Sequence, residues 1–403
     1  MPGKNTGDSG LSAVANTYNR FPVTLVKGKG CTVWDDAGRE YVDFAAGIAV
    51  CSLGHCHPEV TRAVADQVGR LVHVSNLYWT LPQQRVAGLL TENSFGDRVF
   101  FCNSGAEAVE AAIKLARRYG HDTRGPECHE VICLEGSFHG RTLAAVAATG
   151  QPVYQKGFEP MPDGFVHCPF NDIQALEAAA GRETAAILLE PIQGEGGVRL
   201  VDDDFLRAAR NICDRLGALL IFDEVQVGIG RTGTLFAYEQ TPVIPDVICL
   251  AKALGNGFPI GAMMAGDEVM AHLPPGSHAS TFGGNPVACA AAEVVINTMI
   301  SDGFLEGVVK TGSYLRERLG YLASEYPDRI LEVRGKGLIQ ALVFREEEPN
   351  LAGRLLEAGF LVIFSHGKVL RMVPPLIVTE AEIDALAAAL RDVLKGQSAA
   401  SQA

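Results

Sequence analysis

From about residue 58 to 300 the chain alternates stretches of helical spacing with short, unbroken apolar runs. Apolar positions recur with a helix-like period over Pro58 to Leu71, Pro82 to Leu90 and about Ala106 to Tyr119. Between and beyond them lie Val99-Phe100-Phe101-Cys102, Glu130–Leu134, Ala186–Leu189, Leu219–Phe222 and Val247–Ala251. Runs this short, bounded by turn residues and apolar almost throughout, read as strands buried on both faces. Repeated βα alternation predicts an α/β fold with a mainly parallel sheet and helices on both sides.

The flanks read differently. Val23 to Phe44 holds β-prone pieces around the turn Asp35-Asp36-Ala37-Gly38, a hairpin signal. Beyond about residue 305, a helix from Phe304 to Ser324 precedes β-prone pieces at Ile330–Val333, Leu338–Phe344, Leu361–Phe364 and Val369–Val373. A last helix from Thr379 to Leu394 opens with the capping-box spacing Thr379-Glu380-Ala381-Glu382. The expected division is therefore a segment 1–57 whose hairpin joins the small domain, a large domain 58–304, and a smaller α+β domain 305–403. Residues 1 to about 15 and Gln397 to Ala403 are small and polar and are expected to fray.

Composition narrows the function. At 47% hydrophobic and 20% charged, 403 residues can build a large core. The formal charge of −13 comes without a basic block, which argues against nucleic acid or an anionic membrane as partner. Neither a signal peptide nor an apolar run of membrane-spanning length stands out. Ten scattered cysteines, none in a CxxC pair, fit reduced core positions in a cytoplasmic protein. Cys51, His55, Cys56 and His57 match no common zinc spacing, so no metal is expected.

Two apolar runs end in charge. The run Ala218 to Phe222 leads to Asp223, and Val247 to Ala251 leads to Lys252. Ligands of open α/β sheets sit beyond the carboxyl ends of the strands, so both groups should face one crevice. A pyridoxal 5'-phosphate enzyme needs that pair: an amine for the Schiff base and a carboxylate for the protonated pyridine nitrogen. Desolvation favours the neutral, nucleophilic lysine. A carboxylate–pyridinium pair at roughly 3 Å gains about 5 kcal/mol at an effective dielectric near 20, before desolvation. Taken singly, Asp223 also reads as a turn cap and Lys252 as a solvated helix start. A third signal is Cys102-Asn103-Ser104-Gly105-Ala106-Glu107-Ala108, between a strand and a helix. Gly105 permits close backbone approach, Ser104 offers a hydroxyl, and free N–H groups at the helix start attract phosphate. An ordinary capped helix start is the plain alternative.

These segments stand in order with Phe138-His139-Gly140-Arg141-Thr142, Glu190-Pro191-Ile192-Gln193-Gly194-Glu195-Gly196-Gly197, Asp223-Glu224-Val225-Gln226, Ala251-Lys252-Ala253-Leu254-Gly255 and Ser280-Thr281-Phe282-Gly283-Gly284-Asn285-Pro286. In this the sequence resembles the class III (subgroup II) aminotransferases across nearly its whole length. The resemblance implies PLP-dependent transferase fold type I, with a seven-stranded sheet in the large domain. It also implies roles. Lys252 would hold the cofactor and carry protons, Asp223 would hold the pyridine nitrogen, and Gln226 would meet the phenolic oxygen. Phe138 would stack on the ring. Ser104, Gly105 and Ala106 would bind phosphate, and Thr281 would add a hydroxyl from the other subunit of a homodimer with shared sites. For substrate, Arg141 would bind the α-carboxylate of N-acetylornithine, with Ser280 a further contact. Arg371 would serve glutamate or 2-oxoglutarate, and Glu195 would pair with Arg371 until that half-reaction.

The implied activity is transfer of the δ-amine of N-acetylornithine to 2-oxoglutarate. Succinylornithine and N-succinyl-diaminopimelate remain alternative donors, singly or together. His139 stands where ornithine-using members carry tryptophan, which turns the expectation away from free ornithine. Asn256 departs from the glycine common after the lysine. An aminomutase or decarboxylase could share the cofactor residues but would not need both arginines. A catalytically silent binding protein would not need Lys252 and Asp223.

Overall fold

The computed structural model describes residues 13–365 and 367–400. Its central sheet has seven strands, in the order Arg98–Cys102, Gly261–Ala265, Val247–Leu250, Leu219–Asp223, Thr184–Leu189, Glu130–Leu134, Phe165–Cys168. Only Gly261–Ala265 runs against its neighbours, so the sheet is mixed and mostly parallel, and the expected architecture holds.

Two apolar layers clamp the sheet, and strand alternation decides which side each residue serves. Leu219 and Ile221 pack with Ala108, Ala112 and Leu115 of the helix Gly105–Arg124. Leu220 and Phe222 point the other way, into a cluster holding Phe205, Leu206 and Ala209 of the helix Asp203–Leu216. Buried alanines on Gly105–Arg124 leave that helix little side-chain bulk against the sheet. Phe222 is wholly buried, and truncating such a side chain costs about 3–5 kcal/mol.

The hairpin forms as expected, Thr32–Asp35 pairing antiparallel with Glu40–Asp43. Leu25–Lys29 adds a strand on one side, and Phe360–Leu361 pairs parallel with Glu40–Asp43 on the other. A second four-stranded sheet runs Ile330–Lys336, Ile339–Phe344, Val369–Met372, Ile363–Ser365. The helix Phe304–Glu325 packs on it, and the final helix Glu380–Ala400 packs on Phe304–Glu325. Its capping box is made: Thr379 N–H donates to Glu382 Oε2 at 2.7 Å and Glu382 N–H to Thr379 Oγ1 at 3.3 Å. This helix continues past Gln397, into a stretch expected to fray; residues 1–12 and 401–403 of that expectation lie outside the described residues. Asn256 adopts a left-handed backbone (φ 46°), accepts from Leu53 N at 2.8 Å and donates to Gly54 O at 3.1 Å. Asparagine tolerates that conformation, and here its amide also ties the turn after Lys252 to the N-terminal segment.

Among the described residues no single helix is long and apolar enough to cross a membrane, and no group of three metal-ligating side chains gathers. His55 instead bonds Asp43, with Nε2 2.8 Å from Oδ2.

Candidate active site

A cavity of about 380 Å³ opens at the carboxyl ends of the parallel strands. Asp223 is the last residue of Leu219–Asp223, while Lys252 begins a tight turn two residues after Val247–Leu250. These strands are neighbours, with Asp223 opposite Cys249 in register, so amine and carboxylate reach one cavity as expected. Lys252 has φ of 45°, a left-handed conformation that a side chain with a Cβ adopts only at a cost.

Asp223 is buried and fully engaged. One oxygen accepts from Val225 N at 3.0 Å, and the other lies 2.8 Å from Nδ1 of His139. His139 is itself buried, and its backbone N–H donates to Thr149 Oγ1 at 2.9 Å. With Asp223 as acceptor, the ring proton sits on Nδ1. Burial pushes the Lys252 amine below the ordinary lysine range; Glu195 opposes this, and Arg371 adds to it. No carboxylate lies within ion-pair distance of Lys252 among the described residues.

Beside them, Arg371 donates to Glu195 Oε1 at 2.7 Å and to Gln226 Oε1 at 2.9 Å. Arg371 is only 1% exposed, so a strong countercharge is required there. Burial would raise the Glu195 carboxyl, yet the Arg371 guanidinium holds it below its usual range. Arg141 is exposed at the cavity mouth, stacked 4.0 Å above Tyr154 and 5.4 Å from the ring of Phe138. No carboxylate pairs with it among the described residues.

At the helix start, Ser104 Oγ accepts from Glu107 N at 3.3 Å. The N–H groups of Gly105 and Ala106 have no protein acceptor among the described residues, and they line the cavity. Glycine at 105 has a packing reason that sequence reasoning did not give: a Cβ would lie 2.6 Å from Val225. Four expected residues do not line the cavity: Glu195 and Arg371 are tied to it through Gln226, while Ser280 and Thr281 fall elsewhere. Ser280 and Thr281 lie outside this cavity; Ser280 Oγ accepts from Asn103 Nδ2 at 3.2 Å and Gly283 N at 3.0 Å, and Thr281 is exposed.

Two polar lining residues have parts that sequence reasoning missed. His139, read there only for donor choice, holds Asp223. Glu190, given no role, accepts from Phe138 N at 2.9 Å and Gly194 N at 3.1 Å, fixing the aromatic wall. Burial pushes its pKa up. The charged Glu190 at the end of an apolar strand carried the same signal as Asp223.

The model of the family described as aminotransferase class-III matches residues 13–394. This chain is a class-III aminotransferase. Among curated relatives, the acetylornithine aminotransferase of Caldanaerobacter subterraneus subsp. tengcongensis is 52% identical over 380 residues, covering 94% of this chain and 96% of the relative. That of Thermosynechococcus vestitus is 52% identical over 381 residues, covering 92% of each. In solved structures, the ornithine aminotransferase of Toxoplasma gondii superposes with a TM-score of 0.91 at 34% identity, covering 96% of this chain and 93% of that one. The N-acetylornithine aminotransferase of Stenotrophomonas maltophilia gives 0.80 at 39% identity, covering 94% and 97%.

Enzymes of this family and fold type work with pyridoxal 5'-phosphate, and the residues of this class-III aminotransferase fit it. The cavity offers the desolvated Lys252 amine, the hydrogen-bonded Asp223 carboxylate, an aromatic face at Phe138 and two N–H donors at a helix start with no protein acceptor among the described residues. Those are the partners for an aldehyde, a pyridinium, a planar ring and a phosphate.

Proposed function

We propose that this class-III aminotransferase moves the δ-amine of N2-acetyl-L-ornithine to 2-oxoglutarate by a ping-pong cycle, giving N-acetylglutamate 5-semialdehyde and L-glutamate, as a step of arginine biosynthesis. The observation that carries the reading is the Glu195–Arg371 pair, 2.7 Å apart, with Arg141 at the mouth paired to no carboxylate among the described residues. Two substrates must present different amines to one reacting carbon. A donor held by its distal carboxylate needs Arg141, whose fork matches two carboxylate oxygens. In that half-reaction Glu195 neutralises Arg371 and keeps it from competing. Glutamate, holding its amine beside the α-carboxylate, needs a second cation, and release of Arg371 from Glu195 supplies it. The acetylornithine aminotransferases at about half identity support the choice of donor.

The cofactor, when bound, supplies an electron sink for the carbon that carries the amine. Ser104, Gly105 and Ala106 would hold its phosphate, Phe138 would cover its ring and Gln226 would meet its phenolic oxygen. Asp223 would pair with the pyridine nitrogen, and His139, 2.8 Å away, orients that carboxylate. Lys252, its amine pushed toward the neutral form by burial, takes the proton from the substrate carbon and returns it on the other side of the reaction.

The working unit in this reading is a cytoplasmic homodimer. Ser280 and Thr281, absent from their own chain's cavity, would serve the neighbour's. Leu77, Tyr78, Trp79 and Leu81 are 84%, 68%, 84% and 69% exposed, an apolar strip suited to burial between subunits. In this reading the division at about residues 57 and 304 separates the hairpin segment, the cofactor domain and the small domain.

The test is a donor panel with 2-oxoglutarate as acceptor: acetylornithine, succinylornithine, succinyl-diaminopimelate, ornithine and 4-aminobutyrate. Acetylornithine should give the highest kcat/KM. A clear preference for ornithine or 4-aminobutyrate overturns the reading.

A further inference from the structure

A second cavity lies at the ends of the strands Glu130–Leu134 and Phe165–Cys168. At about 720 Å³ it is within the range of small-molecule sites, and it has no lining residue in common with the reaction cavity. Its lining is polar and fixed. Gln151 Nε2 donates to Ser137 O at 3.0 Å, Gln155 Nε2 to Thr149 O at 3.1 Å, and the His167 ring bonds Ala148 O at 3.2 Å.

Two opposite charges remain over. Arg199 is half-buried, its guanidinium 3.9 Å above the ring of Phe170, and among the described residues no acceptor or carboxylate pairs with it. Glu135 is exposed on the same lining, and its carboxylate also has no partner among the described residues. The two stand more than 4 Å from each other, so neither neutralises the other directly. Burial and the nearby Arg334 press on the Arg199 charge, while Glu135 steadies it through space.

We propose that this cavity binds a free α-amino acid with a polar side chain, its carboxylate on Arg199 and its ammonium group on Glu135. A planar guanidinium fork suits a carboxylate. A plain anion would face the like charge of Glu135, and a plain cation that of Arg199. A zwitterion satisfies both, and the remaining volume and polar walls leave room for a polar side chain. The occupant would sit against Thr149, whose hydroxyl holds the backbone of His139 and so the partner of Asp223.

The experiment is calorimetric titration of the cofactor-loaded enzyme with L-serine, L-asparagine and L-arginine, and with their N-acetyl and carboxamide derivatives. At least one free amino acid should bind, and both of its derivatives should lose about tenfold or more in affinity, the scale of one charge-assisted pair. Arg199→Gln and Glu135→Gln should each show the same loss, with transamination in the absence of added amino acid unchanged. Undiminished affinity of either derivative for the wild type, unchanged affinity in either variant, or no binding of any of the three at millimolar concentration overturns the proposal.

Discussion

His139 and Asp223 meet at 2.8 Å with both side chains shut off from solvent, although 84 residues separate them in the chain. A buried carboxylate with a single imidazole donor depends on that donor for its orientation. His139→Ala should therefore weaken cofactor retention and lower kcat by about tenfold or more, the scale of a lost hydrogen bond to a charged group. KM for acetylornithine should change little. The checks are cofactor release during dialysis and the visible spectrum across pH; an unaltered spectrum and kcat would show that Asp223 needs no such support.

Lys252→Ala should keep the cofactor, because the helix start, Phe138 and Asp223 are untouched. Turnover should fall by more than about a hundredfold, the share a positioned acid–base group provides. Steady multiple turnover by the purified variant would remove Lys252 from the mechanism.

Charge at Glu195 and Arg371 should move the pH behaviour of Lys252 in opposite directions. The amine already titrates below the ordinary lysine range, with Glu195 raising it and Arg371 lowering it. Since attack on the cofactor aldehyde requires the neutral amine, uptake by the cofactor-free enzyme should quicken as pH rises through that pKa. Glu195→Gln should shift this rise to lower pH and Arg371→Gln to higher pH. Stopped-flow uptake rates across pH test both; shifts in one common direction would contradict the assigned electrostatics.

Arg141→Ala should raise KM for acetylornithine by at least about tenfold, the loss of one bidentate carboxylate contact. Half-saturation by glutamate, which the proposed cycle assigns to Arg371, should stay within about threefold, a difference under 1 kcal/mol. Separate half-reaction kinetics distinguish the two, and equal losses for both substrates would place Arg141 elsewhere.

Asp223 and Lys252 were legible because buried parallel strands read as continuous apolar runs whose ends expose the next charge. Gly261–Ala265 was not legible: Gly-Ala-Met-Met-Ala is fully buried, so it shows no alternation, and it has no β-branched residue. Phe165–Cys168 is four residues long and interrupted by His167, too short to mark a period. The helix Leu351–Glu357 was missed for the same reason. Gly105 was correctly singled out, but part of its need is the Val225 side chain pressed against it. His139 acts through a partner far along the chain, and a local motif gives no distance between such groups. The second cavity was invisible for the same cause, since Glu135 and Arg199 lie far apart in the chain.

The left-handed turn at Lys252 has a consequence for anyone redesigning this enzyme. Shifting the lysine by one position would mean rebuilding an unfavourable bend that the buried residues Ala251 and Ala253 to Asn256 hold in place. Arg141 and its Tyr154 platform sit on other segments, at the open rim. Selectivity can thus be rewritten at the entrance while the reactive centre is inherited whole.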